Sequence, residues 1–188
     1  IDKNIVEKYK DYLIVLSGNM FGEIPAKILN VGEHKAEEAL IWWKEVFGVD
    51  FYLEIMRHGQ ENEDIVNNVL LKFSKNHQLK VIPTNNCFYV NKEDANAHDI
   101  LLCVKDGEKQ STPIGRGRGF RYGLQNQEYY FKSTNEMKLL FKDLPKLFFN
   151  VEDLVKKIET YELSREVLLP KFIIPDDFKS DENDEKEI

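Results

Sequence analysis

Residues 109–123 carry the densest cationic chemistry of the chain: Lys109, Arg116, Arg118 and Arg121 stand among four glycines, with Phe120 beside them. Guanidinium and ammonium groups with no nearby acid after Glu108 suit phosphate oxygens, and the aromatic neighbour suits the face of a base. A plainer role competes with that one, a connection whose arginines pair with acids elsewhere. A dinucleotide fingerprint does not fit Gly115, Gly117 and Gly119, because no strand precedes them, no helix follows and the third glycine is misplaced.

A second set consists of single residues. Asn19, His58 and Asn86 each fall just after an expected strand, where α/β architectures place functional groups. On an extended segment Asn86 and Phe88 share one side and Cys87 takes the other, so Cys87 is expected as a small buried hydrophobe. The four histidines, His34, His58, His77 and His98, are scattered. His34 and His77 lie in polar contexts that predict solvent exposure, His58 is placed to bind an anion or brace the next loop, and His98 to hydrogen-bond from a helix. Neither a Ser/His/Asp nor a Cys/His nucleophile pairing emerges. Trp42-Trp43 and Phe148-Phe149 read as packing groups, one of each pair in the core.

The elements that must position these groups alternate. Residues 12–16 end at Ser17-Gly18 as a buried strand, and residues 51–56 and 80–83 repeat that pattern. Between them, residues 33–47 place Ala36, Leu40, Trp43 and Phe47 at helical spacing before Gly48, and residues 63–75 put Ile65, Val66, Val69, Leu70 and Phe73 on one face. A third helix is expected from Lys92 to about Val104, with Asn91 as N-cap. Strand–helix alternation predicts an α/β fold, a partial (β/α) barrel with parallel strands and crossover helices. After residue 108 the rhythm changes: Ser133-Thr134-Asn135-Glu136 forms a capping box, residues 150–161 form an amphipathic helix, and residues 168–175 form an extended exit. The expected organisation is 1–108 as barrel, 109–162 as loop and closing helices of the same domain, and 163–188 as linker.

A chain of 188 residues with 42% apolar content suits one domain with a real core. Its apolar runs are too short to span a bilayer, no signal-peptide pattern opens it, and two cysteines imply no disulfide framework. The net charge is −7, yet seven acids against two lysines after Pro175 place most of it in the tail. The body therefore offers no global attraction for nucleic acid, and the tail reads as a solvated linker. A start at Ile1 rather than Met suggests a piece of a longer polypeptide.

Thr84-Asn85-Asn86-Cys87-Phe88-Tyr89, followed by Asp94-Ala95-Asn96-Ala97-His98-Asp99, resembles the Thr-Asn-Asp-x-His-Tyr…Asp-Ala-x-Ala-His-Asp signature of the bacterial replicative DNA polymerase III alpha subunit family, in its PHP (polymerase and histidinol phosphatase) domain. Leu16-Ser17-Gly18-Asn19…Gly22-Glu23-Ile24-Pro25, Phe51-Tyr52-Leu53-Glu54-Ile55-Met56-Arg57-His58-Gly59, Glu128-Tyr129-Tyr130-Phe131-Lys132-Ser133 and Leu169-Pro170-Lys171-Phe172 are similar to family segments in the same order. The resemblance implies a PHP-type barrel of which this chain is the second half, since the family's opening His-x-His does not occur here. It also implies a palm domain lying beyond this chain, where Mg supports nucleotidyl transfer.

In relatives that keep the PHP metal site, a Cys follows Leu-Ser-Gly, and an Asp and a His follow Thr-Asn. Those positions hold Asn19, Asn86 and Phe88 here, so the expectation is a degenerate, metal-free site with no catalytic residue and no cofactor in this segment. The resemblance implies a structural role within a cytoplasmic DNA-directed DNA polymerase. Its implied partners are primer-template DNA, the proofreading exonuclease subunit, the sliding clamp, other replisome subunits and the remaining half of the PHP domain, with no membrane. Two alternatives stand beside it: a divergent PHP phosphoesterase or 3′-5′ exonuclease using one metal, and a nucleic-acid-binding module using Arg116, Arg118, Arg121 and Lys109. Half a barrel would expose strand edges, which predicts self-association or marginal stability of the isolated chain.

Overall fold

Three parallel strands form the centre, in the order β1-β2-β3: β1 is Val15–Leu16, β2 Phe51–Ile55 and β3 Val81–Pro83. This computed structural model describes residues 2–162 and 164, so the expected exit strand at 168–175 and the acidic tail lie outside the described residues. Val15 pairs with Phe51 and Leu53 with Val81. Helices α2 (Glu23–Asn30) and α3 (Glu33–Phe47) connect β1 to β2, and α4 (Glu61–His77) connects β2 to β3. Parallel neighbours require such crossovers, and the α/β expectation with a partial PHP-type sheet holds. Residues 2–157 form one compact unit.

The helices follow from local chemistry. Glu61, Glu63 and Asp64 occupy the first turn of α4, and Lys75 and His77 the last, matching the helix dipole. Gly48 closes α3 with φ of 53°, a conformation that favours glycine. Ser133 and Glu136 form the expected capping box of α6 (Thr134–Leu140). Phe51, Leu53 and Ile55 point from β2 into the main core with Leu40, Val66, Leu70, Phe73 and Phe141. Tyr52, also fully buried, takes the other side, as strand alternation requires.

Several expectations are corrected. The first strand is only the last two residues of 12–16, because Tyr12 turns with φ of 65°. Helices α1 (Lys3–Lys8) and α2 were not foreseen: α1 has no buried residue, and α2 begins after a glycine with Pro25 in its first turn. The helix expected from Lys92 opens as a 3-10 turn, Lys92–Asp94, before α5 (Ala95–Asp106). The final helix α7 is Leu147–Lys156, not 150–161. It starts early because Leu147 belongs to the core, and Asn150 donates to the Val81 carbonyl at 2.8 Å.

Leu70→Ala should cost about 2–5 kcal/mol in urea unfolding because its side chain is fully enclosed. Val104→Ala, at a position 73% exposed, should change stability by less than about 0.5 kcal/mol. Tyr9, Tyr12 and Leu13 are exposed ahead of β1, whose outer edge has no partner strand among the described residues. Sedimentation of the 188-residue chain should therefore show self-association or low thermal stability. A monomer with a sharp, high-temperature transition would contradict this.

Candidate functional site

The loops after β1 and β3, together with the glycine–arginine segment, enclose a cleft of about 870 Å³. The loop after β1 is drawn tight by glycine. A Cβ on Gly22 would collide with the Ser17 carbonyl, and Gly18 adopts φ of +80°. Asn19 is held there: its Oδ1 accepts from the Phe21 amide at 2.9 Å, and its Nδ2 lies 3.5 Å from Asn86 Oδ1. Asn85 anchors the loop after β3 by donating to the Tyr130 carbonyl at 2.9 Å. Asn19, Asn86 and Phe88 thus line one cleft, and Arg116 joins them.

The donor set does not suit a metal. Two neutral amides and a phenyl ring replace a thiolate, a carboxylate and an imidazole at the positions that the resemblance identifies, and neutral amides are weak ligands for the ions such a set holds. Among the described residues no three His, Cys, Asp or Glu side chains come together. Glu63 borders the cleft, but it is buried and engaged by His58: Oε2 accepts from the His58 amide at 2.6 Å, and Oε1 lies 2.5 Å from Nδ1.

His58 is a brace. It is 1% exposed, its ring stacks on Tyr129 at 4.3 Å, and its carbonyl accepts from Asn126 Nδ2 at 2.6 Å. Its Nε2 has no hydrogen-bond partner among the described residues. Burial alone would raise the Glu63 carboxyl, but the hydrogen bonds from His58 and the Gln60 amide, with the adjacent imidazole, together outweigh it and hold the group below its ordinary 4.5. Burial lifts the Tyr129 hydroxyl to about 12, so it stays neutral. The sequence named His58 but missed Glu63. The available signal was an acid at the third position of a helix starting three residues after the histidine.

The four basic residues do not act together. Arg121 is buried, contrary to the expectation of a cation without an acid. Its Nη1 and Nη2 donate to Asp99 at 2.6 and 2.9 Å, and its Nε donates to the Thr112 carbonyl at 2.9 Å. That bidentate contact lowers the Asp99 carboxyl. Arg121 is therefore a strap between α5 and the loop, not a contact for nucleic acid. Lys109 and Arg118 are exposed and do not line the cleft; Arg116 is exposed and does.

The remaining singled-out residues scatter. Cys87 is exposed rather than buried, because the segment leaves the sheet after Pro83 and its Sγ faces the Asn85 and Tyr130 carbonyls. His98 sits among the rings of Phe88 and Tyr89. His34 is exposed, while His77 is part-buried with Nε2 2.6 Å from Glu37. Trp43 and Phe148 pack on the core, and Phe149 is exposed.

Because Glu63 is depressed in the folded state, its contribution is present above pH 4.5 and is lost as pH falls through the folded value. Urea unfolding of wild type should weaken as pH drops below about 5. Glu63→Gln should be less stable at pH 7, with a smaller loss across the acid range. Identical acid slopes for the two proteins would refute the pairing.

Comparison with known proteins places these observations in context. Residues 1–58 match the PHP domain family. The chain is 38% identical over 181 residues to the DNA polymerase III subunit alpha of Borreliella burgdorferi, covering 96% of this chain and 15% of that protein. The same subunit of Campylobacter jejuni is 32% identical over 84% of this chain and 13% of its own length. That of Treponema pallidum is 28% identical over 97% of this chain and 15% of its own length. The chain thus spans about 15% of the length of such relatives.

Proposed function

The chain is homologous, over nearly its whole length, to a segment of the DNA polymerase III alpha subunit family that takes in part of a PHP domain, and from this premise we propose that it is a structural, metal-free portion of a replicative DNA-directed DNA polymerase. Nucleotide addition to a primer would occur at a palm domain outside these residues, where Mg supplies two-metal phosphoryl transfer. The segment would brace that polymerase and offer docking surface. Primer-template DNA, a proofreading exonuclease subunit, the sliding clamp and other replisome subunits are the proposed partners, with the remaining half of the PHP domain as the intramolecular one. The proposed location is the cytoplasm; no described helix is long and apolar enough to cross a membrane.

The observation that supports the reading is a family resemblance extending along the chain, while Asn19, Asn86 and Phe88, at the positions where that resemblance implies metal ligands, line one cleft. The hydrogen bonds of the cleft support a scaffold role, since Asn19, Asn85 and His58 are each committed to holding loops.

The natural full polypeptide should extend a primed template in Mg²⁺. Asn19→Ala with Asn86→Ala should leave that rate within about twofold, because groups outside the chemistry leave the barrier unchanged. The triple variant N19C/N86D/F88H should gain Zn²⁺ or Mn²⁺ binding in calorimetry relative to wild type. Absence of primer extension would overturn the polymerase reading. Tight metal binding by wild type, abolished in the double alanine variant, would overturn the metal-free one.

A further inference from the structure

The loop that walls one side of the cleft hangs, among the described residues, on one guanidinium. Ile114, Gly115, Arg116, Tyr122 and Gly123 supply that wall. Arg121, whose side chain is 4% exposed, reaches back across the loop that it ends. Besides its fork on Asp99, it donates to the carbonyls of Thr112 at 2.9 Å, Tyr122 at 3.2 Å and Gln110 at 3.3 Å. At the base, the Gly115 N–H donates to the Arg121 carbonyl at 3.0 Å, and the Arg121 N–H to the Pro113 carbonyl at 2.9 Å. Beyond that base, no hydrogen bond joins residues 116–120 to another element among the described residues. Phe120 folds back over Gly115, where a Cβ would collide with its ring, so the tip rests on its own base.

The ends of the loop are held separately. Gln110 donates to Asn96 at 2.9 Å and to Asp99 at 3.0 Å, and Asn126 donates to the His58 carbonyl at 2.6 Å. What lies between depends on one ion pair. A guanidinium this enclosed is tolerated only with its counter-charge in place. The Asp99 carboxylate, 21% exposed, is the half of the pair that water reaches. Without it, Arg121 lowers its energy by swinging into solvent, and three carbonyls lose their shared donor together. The backbone pairing of residue 121 goes with it.

We propose that residues 111–123 form a strap that gates the cleft, held against α5 by the Asp99–Arg121 latch and opening between its anchored ends when that latch is released. Neither Asp99 nor Arg121 lines the cleft; both act on it through the loop, as positioning residues. Lys105 Nζ, 5.8 Å from the Tyr122 ring centre, is a weak tie at the far end of cation–π range and does not replace the latch.

The test uses the natural full polypeptide carrying Asn86→Cys and Cys87→Ser, which sets a thiol in the cleft lining. Alkylation by N-ethylmaleimide is timed by mass spectrometry of the peptide containing residue 86, beside hydrogen exchange of residues 111–123. Asp99→Asn, close in shape, should raise both rates about tenfold, the scale of one lost charge-assisted hydrogen bond. Arg121→Ala should match it, since the two side chains form one latch. Arg118→Ala, at the tip and outside the lining, should change neither rate. The Leu53 N–H, bonded to the Lys80 carbonyl within the sheet, should exchange at the wild-type rate in every variant. Unchanged alkylation in Asp99→Asn would sink the proposal, because the loop would then stay in place without its latch. So would a rise in Leu53 exchange equal to that of the loop, because the pair would then support the whole fold rather than a gate.

Discussion

The buried Glu63 carboxylate is the constraint on which the organisation of this unit depends. An ionised carboxylate removed from water is tolerated only when its oxygens are filled. Both are filled by His58: the backbone N–H donates to one, and Nδ1–H must donate to the other because an ionised carboxylate only accepts. The same side chain completes the capping box of α4. One group therefore fixes the end of β2, the start of α4 and the plane of the imidazole. That plane carries Tyr129, and the His58 carbonyl carries Asn126, so the segment after residue 123 is positioned by an interaction formed at the sheet. Nearby, Asn67 donates to the Met56 carbonyl at 2.7 Å and holds the same strand end a second time.

Two arginines extend this logic to the periphery. Arg57 grips Asp143 through both guanidinium nitrogens, donates to the Leu140 carbonyl and lies over the Phe141 ring. Its contact takes the Asp143 carboxyl down to about 2. Arg121 does the same for the loop through Asp99. Fork geometry makes each contact directional, which lysine could not reproduce. Their worth as stability is modest where solvent reaches the pair, as at Asp143, because water screens the attraction. Their structural effect is to divide the cations of this region into those spent on architecture and those, such as Arg116 and Arg118, left in solvent.

How much of this could be read from the sequence depended on the range of the interaction. Helix α3 was legible to the residue, since Ala36, Leu40 and Phe47 repeat at 3.6-residue spacing and Gly48 stops them. Three parallel strands followed from alternation with helices. Helix α1 escaped because a helix with no buried face leaves no periodic signal. The pairing of Asp99 with Arg121 spans 22 positions, and charge patterning along a chain carries no information about such a partner. Cys87 failed for a related reason: alternation predicts which side of a strand a residue takes, but the strand had already ended at Pro83. The grouping of Asn19, Asn86 and Phe88 was legible through the family signature and through the rule that strand ends gather in an α/β fold.

The cleft also shows how uncharged amides hold a loop together. Carboxylates and thiolates converging on one point repel each other and need a cation to hold them together. Amides carry no such charge, and each offers both a donor and an acceptor. Asn19 uses its oxygen on the amide of Phe21 and turns its nitrogen toward Asn86, while the Gly22 N–H donates to the Asn19 carbonyl at 2.8 Å. The turn is thus closed by its own polar groups and by the space only a glycine leaves at position 22. A loop that supports itself in this way keeps its conformation without an ion, and keeps the unused side of its amides facing the cleft. The Asn19 and Asn86 amides therefore give this side of the cleft an uncharged, hydrogen-bonded lining.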